Sequence, residues 1–186
     1  MILNLAAFFI IPGYTLLFVR NFSLFSLNFS VIGNMLGRKK GFCLWGIMTG
    51  WYFYAVLSQV SARLRLCKGV RCLVHTALFL LFCAVTTPYL PEELPFKAFL
   101  HIVFAMASAL CLCLYLFFAA WRLLDEDRTA GLITLWCLAV ILLISAALLI
   151  LVGIVSSALE IFFTFSTVFL SRYLYGKTNR LISQSP

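Results

Sequence analysis

The chain has 186 residues, of which 64% are hydrophobic, 16% aromatic and 11% charged, and its 14 Lys and Arg against 6 Asp and Glu give a net charge of +8. A water-soluble domain carries about a quarter charged residues, because folding leaves a surface that must be wetted, whereas the mean hydropathy here is +1.08. This composition excludes a disordered tail, a secreted disulfide scaffold and a nucleic-acid-binding module, and it predicts a chain that lives in lipid.

A helix that crosses about 30 Å of hydrocarbon at a 1.5 Å rise needs roughly 20 mostly apolar residues. Six stretches qualify: 2–19, 41–60, 72–90, 98–121, 131–152 and 157–174. They use about two thirds of the chain, so the predicted fold is all-α, a single six-helix transmembrane bundle over residues 1–186. In the first span Pro12-Gly13 predicts a kink, since Pro12 removes one backbone hydrogen bond. The segment lacks a basic leader and an evident cleavage site, so it reads as a retained span. The loop after it, Asn21 to Ser30, mixes Phe and Leu with Ser and Asn. Such a segment lies in the membrane interface or folds over the mouth of the bundle. Gly46 and Gly50 in the second span form a small-xxx-small pair that lets helices approach. The loop Ser61 to Arg71 is basic, and Cys67 and Cys72 flank it as S-palmitoylation candidates in a eukaryotic host. Glu92 and Glu93 are expected to cap the start of the fourth span. Asp125 to Asp127, between Arg122 and Arg128, read as a solvated charge cluster. No proline divides residues 131–174, yet one helix of that length would be about twice the membrane thickness, so a turn is predicted near Gly153 to Ser156.

With six spans both termini share one side, which holds nine Lys and Arg against five on the other. The excess of positive charge predicts cytoplasmic termini, although Arg38-Lys39-Lys40 opposes it. The natural partners are membrane lipids, with a homo-oligomer or another membrane protein also compatible and nucleic acid excluded. The chain reads as an integral, multi-pass protein, of the cell membrane if the host is bacterial.

An ionisable group in hydrocarbon costs roughly 2.5 to 3.5 kcal/mol on insertion scales, so such groups point to function. There are three: His75, His101 and Glu160. His75 lies near the cytoplasmic end and reads as a snorkelling side chain. His101 and Glu160 belong to the opposite end and are expected to form a hydrogen-bonded pair. Glu160, Thr164, Thr167 and Ser171 follow one helical face, and His101, Ala105, Ser108 and Tyr115 follow another. These seams either line a polar cavity or glue helices together. No metal site is expected, because His75 stands across the bilayer from the other two. Seven cysteines, mostly inside spans, imply no disulfide framework. No cofactor and no catalytic residue is assigned, since phosphate-binding glycine loops, paired metal motifs and nucleophile elbows are all missing.

Three places carry a family likeness: Phe29-Ser30-Val31-Ile32-Gly33 after the first span, Leu100-His101 with Ala105 and later Leu114-Tyr115 in the fourth, and Leu159-Glu160-Ile161-Phe162 opening the sixth. In these the chain resembles the six-span Frag/DRAM/Sfk superfamily of membrane proteins. Asn28 and Phe29 stand where that family has Pro before its Ser, and Ile161 where it has Trp. The resemblance implies a six-helix bundle, cytoplasmic termini and involvement with membrane lipids, without an agreed chemistry, and it marks Ser30, His101 and Glu160. The leading expectation is a non-enzymatic protein that binds or organises lipid through a polar cavity near the outer leaflet, with Ser30, His101, Ser108, Glu160, Thr164 and Thr167 as candidate ligand-binding residues. The alternatives are an intramembrane lipid-modifying enzyme with Glu160 or His101 as general base, or a small transporter or channel subunit.

Overall fold

The computed structural model describes residues 1–184. Among the described residues it is all-α, 81% helical and without strands. Six long helices and one short one follow in order: α1 Ile2–Val19, α2 Phe29–Asn34, α3 Lys39–Arg63, α4 Lys68–Thr86, α5 Pro95–Leu123, α6 Arg128–Val152 and α7 Ser157–Gln184. Each long helix packs on the next, from α1 on α3 through α6 on α7, and α7 returns to α1. The ring is filled by contact between α3 and α7 across its middle.

Four of these helices, α1, α4, α5 and α6, are long and apolar enough to cross a membrane, which is compatible with an integral membrane protein. The two others, α3 and α7, are less apolar and carry part of their polar side chains inward: Thr49, Tyr52 and Ser61 on α3, and Thr164, Thr167, Ser171 and Thr178 on α7, are all buried. A helix at the centre of a bundle can carry polar groups at little cost because it touches lipid on a narrow face. Their bonds knit the centre: the Tyr52 hydroxyl donates to the Val168 carbonyl at 3.0 Å, and the Tyr115 hydroxyl bridges the Leu57 carbonyl (2.8 Å) and the Ser61 hydroxyl (2.9 Å).

Several local expectations change. In α1 a π-helical turn at Ala6–Ile10 ends two residues before Pro12, whose missing N–H loosens the ordinary ladder there. The helix that holds the sixth stretch, 157–174, is longer than that stretch. The helix runs on to Gln184, anchored by buried Thr178 and by the Arg63 guanidinium 4.3 Å above the Tyr175 ring. Glu92 and Glu93 do not cap α5, which has no side-chain cap and begins on Pro95, where a missing N–H costs nothing. Of the acidic cluster, Asp125 and Glu126 pair with Arg122, at 2.8 and 3.0 Å. Asp127 is instead the N-cap of α6, accepting from the Ala130 N–H at 2.9 Å. At the turn between α6 and α7, Gly153 takes the left-handed conformation (φ +77°) in which an L side chain would be strained.

The close approach of α3 and α4 is set at Gly46, where an added Cβ would lie 2.8 Å from a Val85 methyl. At Gly50 the nearest atom would be 3.8 Å away, on Leu81, so the two glycines of the pair are not equivalent.

Candidate functional site

The loop after α1 is held to the rest of the fold. Asn28 caps α2 by accepting from the Val31 N–H at 2.8 Å, and the short helix that follows drives Phe29 and Ile32 fully out of reach of solvent. Phe29 sits edge-on between Phe18 and Trp45. Upstream, the Leu24 and Leu27 carbonyls accept from the Ala158 and Ser157 N–H groups at 2.8 and 2.6 Å. These are first-turn donors of α7 that have no partner within their own helix. The segment is thereby bolted to the mouth of the bundle.

It brings α2 between the two ionisable groups. The Phe29 N–H donates to Glu160 Oε2 at 2.6 Å, and the next residue, Ser30, places its Oγ 2.6 Å from His101 Nε2. Among the described residues, then, Glu160 and His101 are not hydrogen-bonded to each other as the sequence suggested. Each holds one of two consecutive residues of α2, because a helical turn has been inserted where direct contact was expected.

The other face of His101 is fixed as well. Nδ1 lies 2.7 Å from the Ala84 carbonyl and 3.2 Å from that of Thr87. The sequence explains why the first of these is available. In a continuing helix the Ala84 carbonyl would accept from the N–H of residue 88, but residue 88 is proline and has none. Thr87, preceding it, is extended and ends α4. Carbonyl oxygens only accept, so Nδ1 carries the proton, and in the neutral ring Nε2 is an acceptor. The Ser30 hydroxyl is therefore the donor of the 2.6 Å bond.

Beneath this cluster lies a cavity of about 600 Å³, within the range of roughly 300–1,000 Å³ typical of small-molecule pockets. Its walls come from α3 to α7 and are overwhelmingly apolar. All six candidate residues, Ser30, His101, Ser108, Glu160, Thr164 and Thr167, line it. Ser108 and Thr167 are partly spent on carbonyls, of Ala77 (2.8 Å) and Phe163 (2.7 Å). Thr49 also lines the cavity; it is 3% exposed, and its hydroxyl has no hydrogen-bond partner. The cavity is not sealed. Met106, Leu110, Leu114 and Phe117 of α5 and Leu142 and Leu149 of α6 line it and are themselves exposed. His75 takes no part: it is exposed on α4, bonded to the Arg71 carbonyl at 3.0 Å.

No family model, curated protein or solved structure matches the chain. Sequence reasoning found the ionisable residues and the serine but missed Thr49, an ordinary helix residue whose unpartnered hydroxyl shows only once the helices are packed. It also missed the Ala84 carbonyl, for which Thr87-Pro88 was a legible signal.

Proposed function

We propose that the chain is a six-span integral membrane protein with cytoplasmic termini that binds one membrane lipid, its acyl chain lying in the cavity and its polar linkage against the Ser30–His101–Glu160 cluster. The carrying observation is a cavity with greasy walls, bordered by Ser30, His101 and Glu160 and by exposed apolar residues of α5 and α6 between which an acyl chain would enter. Hydrocarbon tails gain little by leaving one apolar environment for another. Selectivity must then come from the polar lining, where the Ser30 oxygen can still accept, Glu160 keeps a second carboxyl oxygen and the Thr49 hydroxyl has no partner among the described residues. The resemblance to the Frag/DRAM/Sfk superfamily in Ser30, His101 and Glu160 points the same way.

The orientation is supported by the bias of nine basic residues to the side of the termini. The opposing Arg38 has a local task, donating to the Phe18 carbonyl at 2.6 Å and lying 4.6 Å from the Phe22 ring centroid, so it closes the C-terminal end of α1.

Native mass spectrometry of the intact protein extracted from membranes tests the binding. One retained phospholipid-sized mass is expected on the wild type, with loss of that mass in Ala109→Trp, which fills the cavity wall. A wild type free of lipid, or retention unchanged in the filled variant, contradicts it.

A further inference from the structure

Ser30, His101 and the Ala84 carbonyl stand in a definite chemical order. A hydroxyl donates to an imidazole nitrogen at 2.6 Å, and the opposite nitrogen of that ring is held by a backbone carbonyl at 2.7 Å. This is a nucleophile, a base and an orienting acceptor, the relation that activates a serine in acyl transfer whatever the fold that carries it. The ring cannot turn or change tautomer without abandoning two carbonyls. Those carbonyls end α4, so the negative end of the helix dipole faces the ring that would gain a proton. Ser30 and His101 both border the cavity, so the pair meets whatever the cavity holds.

Depth fits as well. His101 is six residues into α5, about 9 Å from its start at 1.5 Å per residue. Helices of this length protrude from the hydrocarbon into the interfacial layer, where the ester carbonyls of a glycerolipid lie. An acyl chain in the cavity thus brings its ester to the level of the dyad.

Resting on the lipid-binding reading above, we propose that Ser30 is the nucleophile and His101 the general base of an acyl transfer from an ester-linked membrane lipid. Ser30 Oγ attacks the ester carbonyl carbon as its proton passes to His101 Nε2. The new bond joins Oγ to the acyl carbon, and the bond from that carbon to the lipid's alkoxy oxygen breaks. The alkoxide leaves with the proton from Nε2, as a lysolipid. In the second half, water or the hydroxyl of another lipid attacks the acyl-serine, gives its proton to Nε2 and takes the acyl group, and Ser30 Oγ departs with that proton. No electron changes hands. Glu160 is a positioning residue: its carboxyl holds the Phe29 N–H at 2.6 Å and thereby fixes the start of α2, one residue before the nucleophile.

The test uses the intact protein in nanodiscs of phosphatidylethanolamine and phosphatidylglycerol, treated with an alkyl fluorophosphonate. Peptide mass spectrometry is expected to find the adduct on Ser30, and untreated protein is expected to release fatty acid and lysolipid in equal amounts or to move the acyl group to a second lipid. Ser30→Ala abolishes adduct and turnover. His101→Gln, which keeps a polar side chain but cannot serve as base, slows labelling by about 100-fold. Thermal unfolding and lipid retention of both variants are read alongside, to keep loss of chemistry apart from loss of fold. A wild type that retains lipid yet leaves Ser30 unlabelled and the lipids intact overturns the chemistry while the binding reading stands. Labelling equal in wild type and in a folded His101→Gln overturns the role of His101 as base. A wild type that retains no lipid overturns the binding reading and this proposal with it.

Discussion

Removing the His101 imidazole disturbs three groups at once. The Ala84 carbonyl cannot return to its helix, because Pro88 offers no N–H; the Thr87 carbonyl loses a longer contact; and the Ser30 hydroxyl loses its acceptor. Hydrogen bonds between helices in a membrane contribute about 0.6 kcal/mol on average and about 1.7 at most. An orphaned buried acceptor adds about 1–3 kcal/mol. His101→Ala is therefore predicted to destabilise the bundle by about 2–5 kcal/mol, the sum of one orphaned carbonyl and one lost bond. Ser30→Ala removes only the bond to Nε2 and should cost about 1–2 kcal/mol. The two are in contact, so their cycle should show a coupling of about 0.6–1.7 kcal/mol. The cycle of His101→Ala with Glu160→Ala should show less, since the Glu160 bond goes to the backbone of Phe29. Reversible unfolding in mixed micelles with increasing dodecyl sulfate measures all the free energies needed. A His101–Glu160 coupling larger than that of His101 with Ser30 would refute the arrangement described and restore the direct pair.

Gly46→Ala, whose Cβ would meet the Val85 methyl at 2.8 Å, should cost about 1–3 kcal/mol by overpacking, while Gly50→Ala, with 3.8 Å to its nearest neighbour, should be tolerated; thermal unfolding of the pair in one detergent decides. Thr49→Val removes a buried hydroxyl that has no partner, so it should leave the empty bundle as stable as wild type or more so and weaken lipid retention in native mass spectra; unchanged retention would take Thr49 out of the binding surface. Gly153→Ala places a side chain at φ +77° and should cost about 1–2 kcal/mol in the same unfolding assay, where a neutral result would show that the turn rearranges. Cys67 and Cys72, both exposed, should react with a membrane-impermeant maleimide only from the cytoplasmic face, and a cysteine at position 93 in a variant lacking them only from the opposite face; the reverse pattern contradicts the orientation.

Parts of this architecture are legible in the sequence because single residues force them. Helix length against membrane thickness requires a break between residues 131 and 174, and Gly153 supplies the conformation that makes one. The cost of an ionisable group among apolar residues is enough to single out His101 and Glu160 from composition and spacing alone. What escapes is the answer to where their hydrogen bonds go. That is decided by α2, a six-residue helix too short to announce itself by periodicity and held by tertiary packing of Phe29 and Ile32 rather than by propensity. Asn28 is visible as a helix-capping residue type, but nothing in the local sequence couples its neighbour Phe29 to Glu160, 131 residues away.

The lipid position is tested most directly by photo-crosslinking the intact protein in membranes that contain a phospholipid with a diazirine in its acyl chain, and mapping the adducts. If the chain enters between α5 and α6, adducts fall on Phe163 and Thr164 of α7, which line the cavity on its inner side, as well as on Met106 and Leu142 at the opening. Adducts confined to outward residues such as Leu143 and Ile150, with none on α7, would contradict a lipid in the cavity.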